Sequence, residues 1–323
     1  MKIKDIGGEF ALIERIKRKA MPCSKDVVAG IGDDAAVLEY DKNFYLLFTT
    51  DMLVENDHFS LKYSKPEQIG MKAIEQNVSD IAAMGGSPKF AVISLALPSN
   101  IDVEFVDKLY DGINKKCKKY RISIVGGNIT HSEEIVVNVA MLGIVEKKFL
   151  ALRNGAKIGD LIFCSGNVGK SSVGLELLRN GISGNSVKHH LEPKSRLDLS
   201  RKLVKIGINS MIDVSDGVAS EVRHICKESK VGAVIYADKI PISKDTVSDT
   251  KKLNKNPLDF ALYGGEDFEL VFTADKNKLS KLKKLDVSII GEIVDKKSSI
   301  KMVKNNKKVK LESGFDHFKR LRV

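Results

Sequence analysis

The sequence predicts an α/β chain, mixed enough to be called α+β, folded as two units. Three observations carry that expectation. Strand-like and helix-like segments alternate as β-α-β-α-β-β over the first 150 residues. A glycine-containing polar stretch, LRNGAKIGDLIFCSG, then leads into a second such mixture, so the units are expected at 1–150 and 151–323. At 323 residues, 43% hydrophobic and 29% charged, the chain can bury two ordinary cores, and no apolar run reaches the roughly 18 to 20 residues of a membrane span.

In order along the chain, EFALIERIKRK carries Phe10, Leu12, Ile13 and Ile16 near helical spacing. The strand NFYLLFTT (43–50) is expected to deliver Asp51 at its C-terminal end. Ser64-Lys65-Pro66-Glu67 reads as a capping box opening a helix, with Ile69, Ala73, Ile74 and Ile81 as its buried stripe and Gly85-Gly86 as its stop. KFAVISLAL (89–97) is a continuous apolar strand. Phe105, Val106, Leu109, Tyr110, Ile113 and Cys117 follow at helical spacing. The strand ISIV (122–125) precedes Gly126-Gly127-Asn128, and IVVNVAMLGIV (135–145) is the next strand. In the second unit, helices are expected near 170–180, 195–206 and 218–228, with strands at LIFCS and VGAVIYA, followed by GGEDFELVFT and a lysine-rich end.

MKIKDIGG is not followed by the apolar stretch of a signal peptide, so the cytoplasm is the expected address. Cys23, Cys117, Cys164 and Cys226 lie far apart, which argues against a zinc site or a disulfide framework. The net charge of +11 would suit a nucleic-acid binder. Yet the lysines of KNKLSKLKK (276–284) and VKNNKKVK (303–310) lack interleaved aromatics and read as a solvated face. Neither nucleic acid nor membrane is an expected partner.

GNVGKSS (166–172) imitates a phosphate-binding loop, but the glycine that motif needs five positions before Gly169 is Cys164. A strand-to-helix turn is the better reading, whose amides could still approach a phosphate.

The recurrent pattern is acidic. GIGDDAAVL, TTD, NVSDIAAMGG, DVSDG and GGEDFEL each set Asp beside Gly, Ser or Thr at the end of an apolar segment. Asp33, Asp34, Asp51, Asp80, Asp213 and Asp216 are thus expected to be partly buried, where unpaired carboxylates are costly. Any one of them alone reads as a helix cap or surface charge: Asp213 or Ser215 could cap the helix after Gly217. Five motifs together, with few basic residues inside them and no Cys or His cluster, point to an oxygen-preferring cation such as Mg²⁺. The sequence therefore predicts metal-dependent phosphoryl transfer or phosphate hydrolysis. In the doublet, Asp33 is expected to ligate metal and Asp34 to point the other way along the extended backbone, to cap or pair with a neighbouring element.

These residues resemble the thiamine-monophosphate kinase family, within a superfamily that includes aminoimidazole ribonucleotide synthetase, selenophosphate synthetase and a hydrogenase-maturation protein. The resemblance runs through GIGDDAAVL, TTDMLVENDHF, NVSDIAAMGG, GGN, ALRNGAKIGD, HHLEPKSRL, DVSDGVASE, ALYGGEDFELVFT and SGFDHF. It implies a two-domain, synthetase-type subunit that dimerises through its N-terminal sheet. It also implies ATP- and Mg²⁺-dependent phosphorylation of thiamine monophosphate to thiamine diphosphate by in-line transfer, with no general base. By resemblance, Asp33, Thr49, Thr50, Asp51, Asp80, Asp213 and Asp216 are Mg²⁺ ligands. His58, Glu266 and Phe315 are thiamine-phosphate contacts, and Tyr110, Gly127, Arg153 and Ser215 are ATP contacts. Many members have GGD where this chain has Gly126-Gly127-Asn128; Asn128, expected at both the metal and ATP, offers an uncharged ligand oxygen.

On the residues alone, His58 could be a turn residue, Phe315 core filler, Arg153 a surface charge and His189-His190 a loop. Two alternatives remain open at this stage. One is another synthetase of the superfamily acting on selenide or formylglycinamidine ribonucleotide, for which Cys23 is a poor reactive thiol. The other is a basic nucleic-acid or scaffold protein, expected to show steeply salt-dependent binding.

Overall fold

The computed structural model describes residues 3–20, 24–305, 307–309 and 311. Helix α1 (Glu9–Lys19) leads into strands β1 (Val27–Ala29), β2 (Ala36–Glu39) and β3 (Phe44–Val54). Helix α2 (Pro66–Ala83), strand β4 (Ser87–Leu97), helix α3 (Val103–Tyr120) and strands β5 (Ser123–His131) and β6 (Val136–Glu146) follow. These strands form a six-stranded sheet in the order β1-β2-β3-β6-β4-β5, antiparallel except for the β4/β5 pair.

Period-two alternation decides the two faces of this sheet. Along β3, Leu47, Thr49 and Leu53 are buried while Phe48, Thr50 and Met52 face out. Val137, Val139 and Met141 of β6 join the inner set, which packs with Ile74 and Val78 of α2 and Leu109 and Ile113 of α3 into one core. The two helices approach closely because Gly70 faces the Leu109 carbonyl and Gly112 faces that of Glu67, leaving no room for a Cβ at either position. The opposite face keeps Phe48, Met52, Phe90, Val92, Val125 and Ile129 exposed, Ile129 at 72%.

The second unit begins with β7 (Leu161–Ser165), α4 (Lys170–Arg179), α5 (Val187–Leu191), α6 (Leu197–Ile206), β8 (Ser210–Asp213) and α7 (Val218–Ser229). It continues through β9 (Gly232–Tyr236), α8 (Lys244–Lys252), α9 (Pro257–Tyr263), β10 (Leu270–Ala274), α10 (Leu279–Leu282), β11 (Val287–Val294), β12 (Ile300–Lys304) and β13 (Lys307–Val309). Its sheet runs β13-β12-β9-β11-β7-β10-β8. The interior strands β7 and β10 are buried along nearly their whole length, so they read as nearly continuous apolar runs. Ile162, Ile212 and Val271 point into a core with α7, whereas Phe163, Met211 and Phe272 point into one shared with α6 and with Ala83 at the end of α2. Helix α2 thus belongs to both units' packing.

Three local expectations change. Asp51 lies inside β3, because the strand continues to Val54 in register with β6. Gly126-Gly127-Asn128 is part of edge strand β5 rather than the connection after it. The start of α2 is capped at Lys65, whose N–H donates to the Gln68 carboxamide at 3.1 Å, so Ser64 is not the cap. Among the described residues no helix is long and apolar enough to cross a membrane.

Candidate active site at the junction of the two units

Three carboxylates from distant parts of the chain converge: Asp34 before β2, Asp80 near the end of α2, and Asp213 at the end of β8. One oxygen from each lies within 4.8 Å of the others. Burial raises the Asp80 carboxyl well above its ordinary range, and the charges of Asp51, Asp213 and Asp34 push it further. Asp213 is raised in the same way, by burial first and Asp34 next. Opposing these shifts, Thr49 Oγ1 donates to Asp80 at 2.5 Å and Ser79 Oγ to Asp213 at 2.6 Å. The Asp34 Oδ2 atom is buried with no hydrogen-bond partner. An orphaned carboxylate oxygen beside two more acid groups, with no sulfur or imidazole in the set, fits a hard divalent cation.

The Asp33-Asp34 doublet divides its work differently from the expectation. Asp34, expected to point away, is the member of the converging group, and it also accepts from Arg153 Nη2 at 2.6 Å. Asp33 instead accepts the Arg153 backbone N–H at 3.1 Å and that of Asp34 at 3.1 Å. Its carboxyl is pushed up to about 7 by burial and by the charge of Asp34. The two side chains do diverge, but the structure sends the second of them to the acid group.

Asp51 projects from the inner face of β3, its carboxyl raised to about 6 by burial and then by the charges of Glu266 and Asp34. It therefore feels both ends of the site. Thr50, one residue earlier, faces out and donates to the Val139 carbonyl at 3.1 Å, so its hydroxyl does not join the acids. Asn128 also lies away from them. Register places it in the row Asn128, Ser94, Asn138, Met52, on the outer face and three strands from β3, about 14 Å at ordinary spacing. Gly127 shares that edge strand. Tyr110 packs at the margin of the first core. Ser215 lies between β8 and α7 and accepts the Glu266 N–H at 2.8 Å. Asp216 donates its N–H to Glu221, whose buried carboxyl is raised by burial, by Asp216 and by Asp213. Phe315 lies outside the described residues.

At the other end, Lys72 of α2 is 3% exposed and donates to Glu266 Oε2 at 2.8 Å and to the His58 carbonyl at 2.9 Å. Burial alone would raise the Glu266 carboxyl, but Lys72 leads the opposing charges and holds it below the ordinary range. Glu266 also adopts a left-handed backbone, with φ 64°. His58 accepts the Val54 N–H on Nδ1 at 3.2 Å, which assigns its proton to Nε2. His190 is 2% exposed in the short helix α5, its Nδ1 3.1 Å from Ser171 Oγ and 3.4 Å from Glu266. Burial and the Lys72 charge lower it to about 3, so it is neutral and Lys72 supplies the cation beside Glu266.

Sequence reasoning missed Lys72 and His190. A lysine at the position after Ile69 and Met71 on a buried helix was the available signal for the first; His190, read from the residues alone as part of a loop, lies buried in α5. The amides at the start of α4 are not open to a phosphate either. The N–H groups of Gly169 and Ser171 both donate to Asp267, at 2.5 and 3.0 Å.

The neutral His190 gives a pH prediction. Below about 6.5 the unfolded chain takes up a proton that the folded site refuses until about 3, so stability falls as pH drops through that window. In urea unfolding between pH 6.5 and 4, His190→Gln should lose less stability than the wild type, by at most about 1.4 kcal/mol per pH unit. Identical slopes would contradict a buried neutral imidazole.

Residues 32–145 match the N-terminal domain, and residues 157–304 the C-terminal domain, of AIR synthase related proteins. The chain is 40% identical to the thiamine-monophosphate kinase of Aquifex aeolicus over 299 residues, covering 91% of this chain and 93% of that one. It is 35% identical to the thiamine-monophosphate kinase of Bacillus subtilis, covering 96% of this chain and 99% of that one. A solved structure described as AaThiL complexed with AMPPCP and TMP superposes with a TM-score of 0.87 at 38% identity, covering 98% of this chain and 99% of that one. With both halves matched and full-length relatives at this identity, the chain belongs to the thiamine-monophosphate kinase family of the AIR synthase related proteins.

Proposed function

We propose that this protein transfers a phosphoryl group from ATP to thiamine monophosphate, forming thiamine diphosphate, with Mg²⁺ held by the converging carboxylates. The observation that carries this reading is the Asp34, Asp80 and Asp213 group in a chain whose full-length relatives are thiamine-monophosphate kinases. Residues 1–150 supply most of the metal- and nucleotide-binding groups, and residues 151–323 complete the site with Asp213, Asp216, Arg153 and Glu266.

The acceptor is already an anion, so no residue need remove its proton; the barrier is repulsion between two polyanions. At about 4 Å two unit charges repel by about 4 kcal/mol at an effective dielectric near 20. Bound Mg²⁺ supplies the positive charge that offsets this repulsion. The chain's own residues fix where that charge sits. Asp34, Asp80 and Asp213 form the common wall, with Asp33, Asp51 and Asp216 alongside. Thr49 and Ser79 orient Asp80 and Asp213 through the hydrogen bonds described above. Arg153, now bonded to Asp34, is within the same group and can present its fork to a phosphate. The ionised Glu266 and the Nε2–H of His58 offer an acceptor and a donor for the thiamine moiety.

The superfamily alternative that uses selenide has less support. The described cysteines Cys117, Cys164 and Cys226 are buried, and burial pushes their thiols upward, to about 11 for Cys117 and about 12 for Cys226.

The exposed apolar face of the first sheet supports a homodimer through that face. It also carries Asn128 and Thr50, so a second copy would bring them to an interface. Ile129→Asp should convert a dimer to a monomer in sedimentation velocity; a monomeric wild type would rule the arrangement out. The reaction itself is tested by ADP release with thiamine monophosphate and chromatography of the product. Thiamine diphosphate should require both ATP and Mg²⁺, and Asp80→Asn should lower turnover at least roughly 100-fold. Undiminished turnover in that variant would remove the metal assignment.

A further inference from the structure

Lysine inside a helix that is buried nearly all round is a costly choice, since an unpaired ammonium there must be desolvated. Lys72 is fully engaged. Its Nζ meets Glu266 at 2.6 Å on Oε1 and 2.8 Å on Oε2, and the His58 carbonyl at 2.9 Å. A methionine of similar length would fill the same volume between α2 and its neighbours without that penalty, so packing does not account for the residue.

The partners of Lys72 do. His58 lies in the turn after β3 of the first unit; Glu266 lies in the loop between α9 and β10 of the second. One ammonium therefore ties the two loops to each other, beside a small cavity that His58, Lys72 and His190 line. Glu266 needs such a tie. Its backbone is left-handed at φ 64°, anchored by its N–H to Ser215, and its carboxylate has two oxygens that could rotate away. His190 Nδ1, 3.4 Å from Glu266 Oε2, sets a second limit on that rotation.

We propose that Lys72 is a positioning residue for the acceptor substrate, holding the Glu266 carboxylate aimed and fixing the His58 turn relative to it. This rests on the reading of His58 and Glu266 as contacts for thiamine monophosphate. Lys72 touches no reacting atom in this account, so its loss acts on acceptor binding and leaves nucleotide binding alone.

The test is steady-state kinetics of the full chain with thiamine monophosphate and ATP varied separately, in Lys72→Met, Glu266→Gln and the double variant. Lys72→Met is expected to raise KM for thiamine monophosphate roughly tenfold or more, with KM for ATP within about twofold of wild type. The double variant should show little further loss beyond the worse single variant, because both changes break one unit. Lys72→Arg, which keeps the charge, should recover part of the effect. Equal changes in both KM values, or fully additive losses in the double variant, would overturn the positioning role while leaving the kinase reading in place. A wild type that turns over no thiamine monophosphate would overturn both. Should Lys72→Met fail to fold, Lys72→Gln is read by the same criteria.

Discussion

The rest of this structure depends on one electrostatic constraint: the carboxylates of Asp34, Asp80 and Asp213 meet within 4.8 Å at the junction of two units. Each comes from a different part of the chain, so the fold must hold the turn before β2, helix α2 and strand β8 together against the repulsion of their charges. Part of the compensation is internal. Arg153 pairs with Asp34, hydroxyls of Thr49 and Ser79 bond Asp80 and Asp213, and the acids are pushed toward their protonated forms. The remainder, expressed by the partnerless Asp34 Oδ2, is what a divalent ion would offset under the proposed function.

Helix α2 is the element on which both halves close. Its apolar residues fill the first core, but polar residues of the helix are buried too, and three of them reach across to defined partners. Lys72 reaches Glu266, Ser79 reaches Asp213, and Glu75 accepts from Lys116, Tyr120 and the Ser195 N–H. Those contacts specify one docking of the second unit on the first, because a shift of the helix would strand several buried charges at once. The site is consequently a property of the interface, and neither sheet alone contains it.

Much of this was legible in the sequence, and the failures have physical causes. The strands NFYLLFTT, KFAVISLAL and LIFCS and the helical stripe of α2 were legible, because apolar runs and helical spacing follow directly from burial. The acidic motifs marked the site because buried carboxylates are rare without a reason. Which carboxylate of a doublet turns inward was not legible; it depends on a backbone turn fixed by the Arg153 N–H bonds to Asp33, 120 residues away in sequence. Thr50 and Asn128 were placed with the metal by resemblance, yet in one chain strand alternation turns them to the outer face. Lys72 escaped notice because its two partners are 14 and 194 residues away, a pairing only the assembled junction creates.

The most direct measurement is thermal unfolding of the nucleotide-free protein in MgCl₂ against KCl of equal ionic strength. A specific cation site predicts a Tm that climbs with Mg²⁺ concentration and not with KCl, reaching about 2.7 kcal/mol of added stability at 100 times the dissociation constant. Superimposable curves in the two salts would contradict the claim that these carboxylates are held together for a divalent ion.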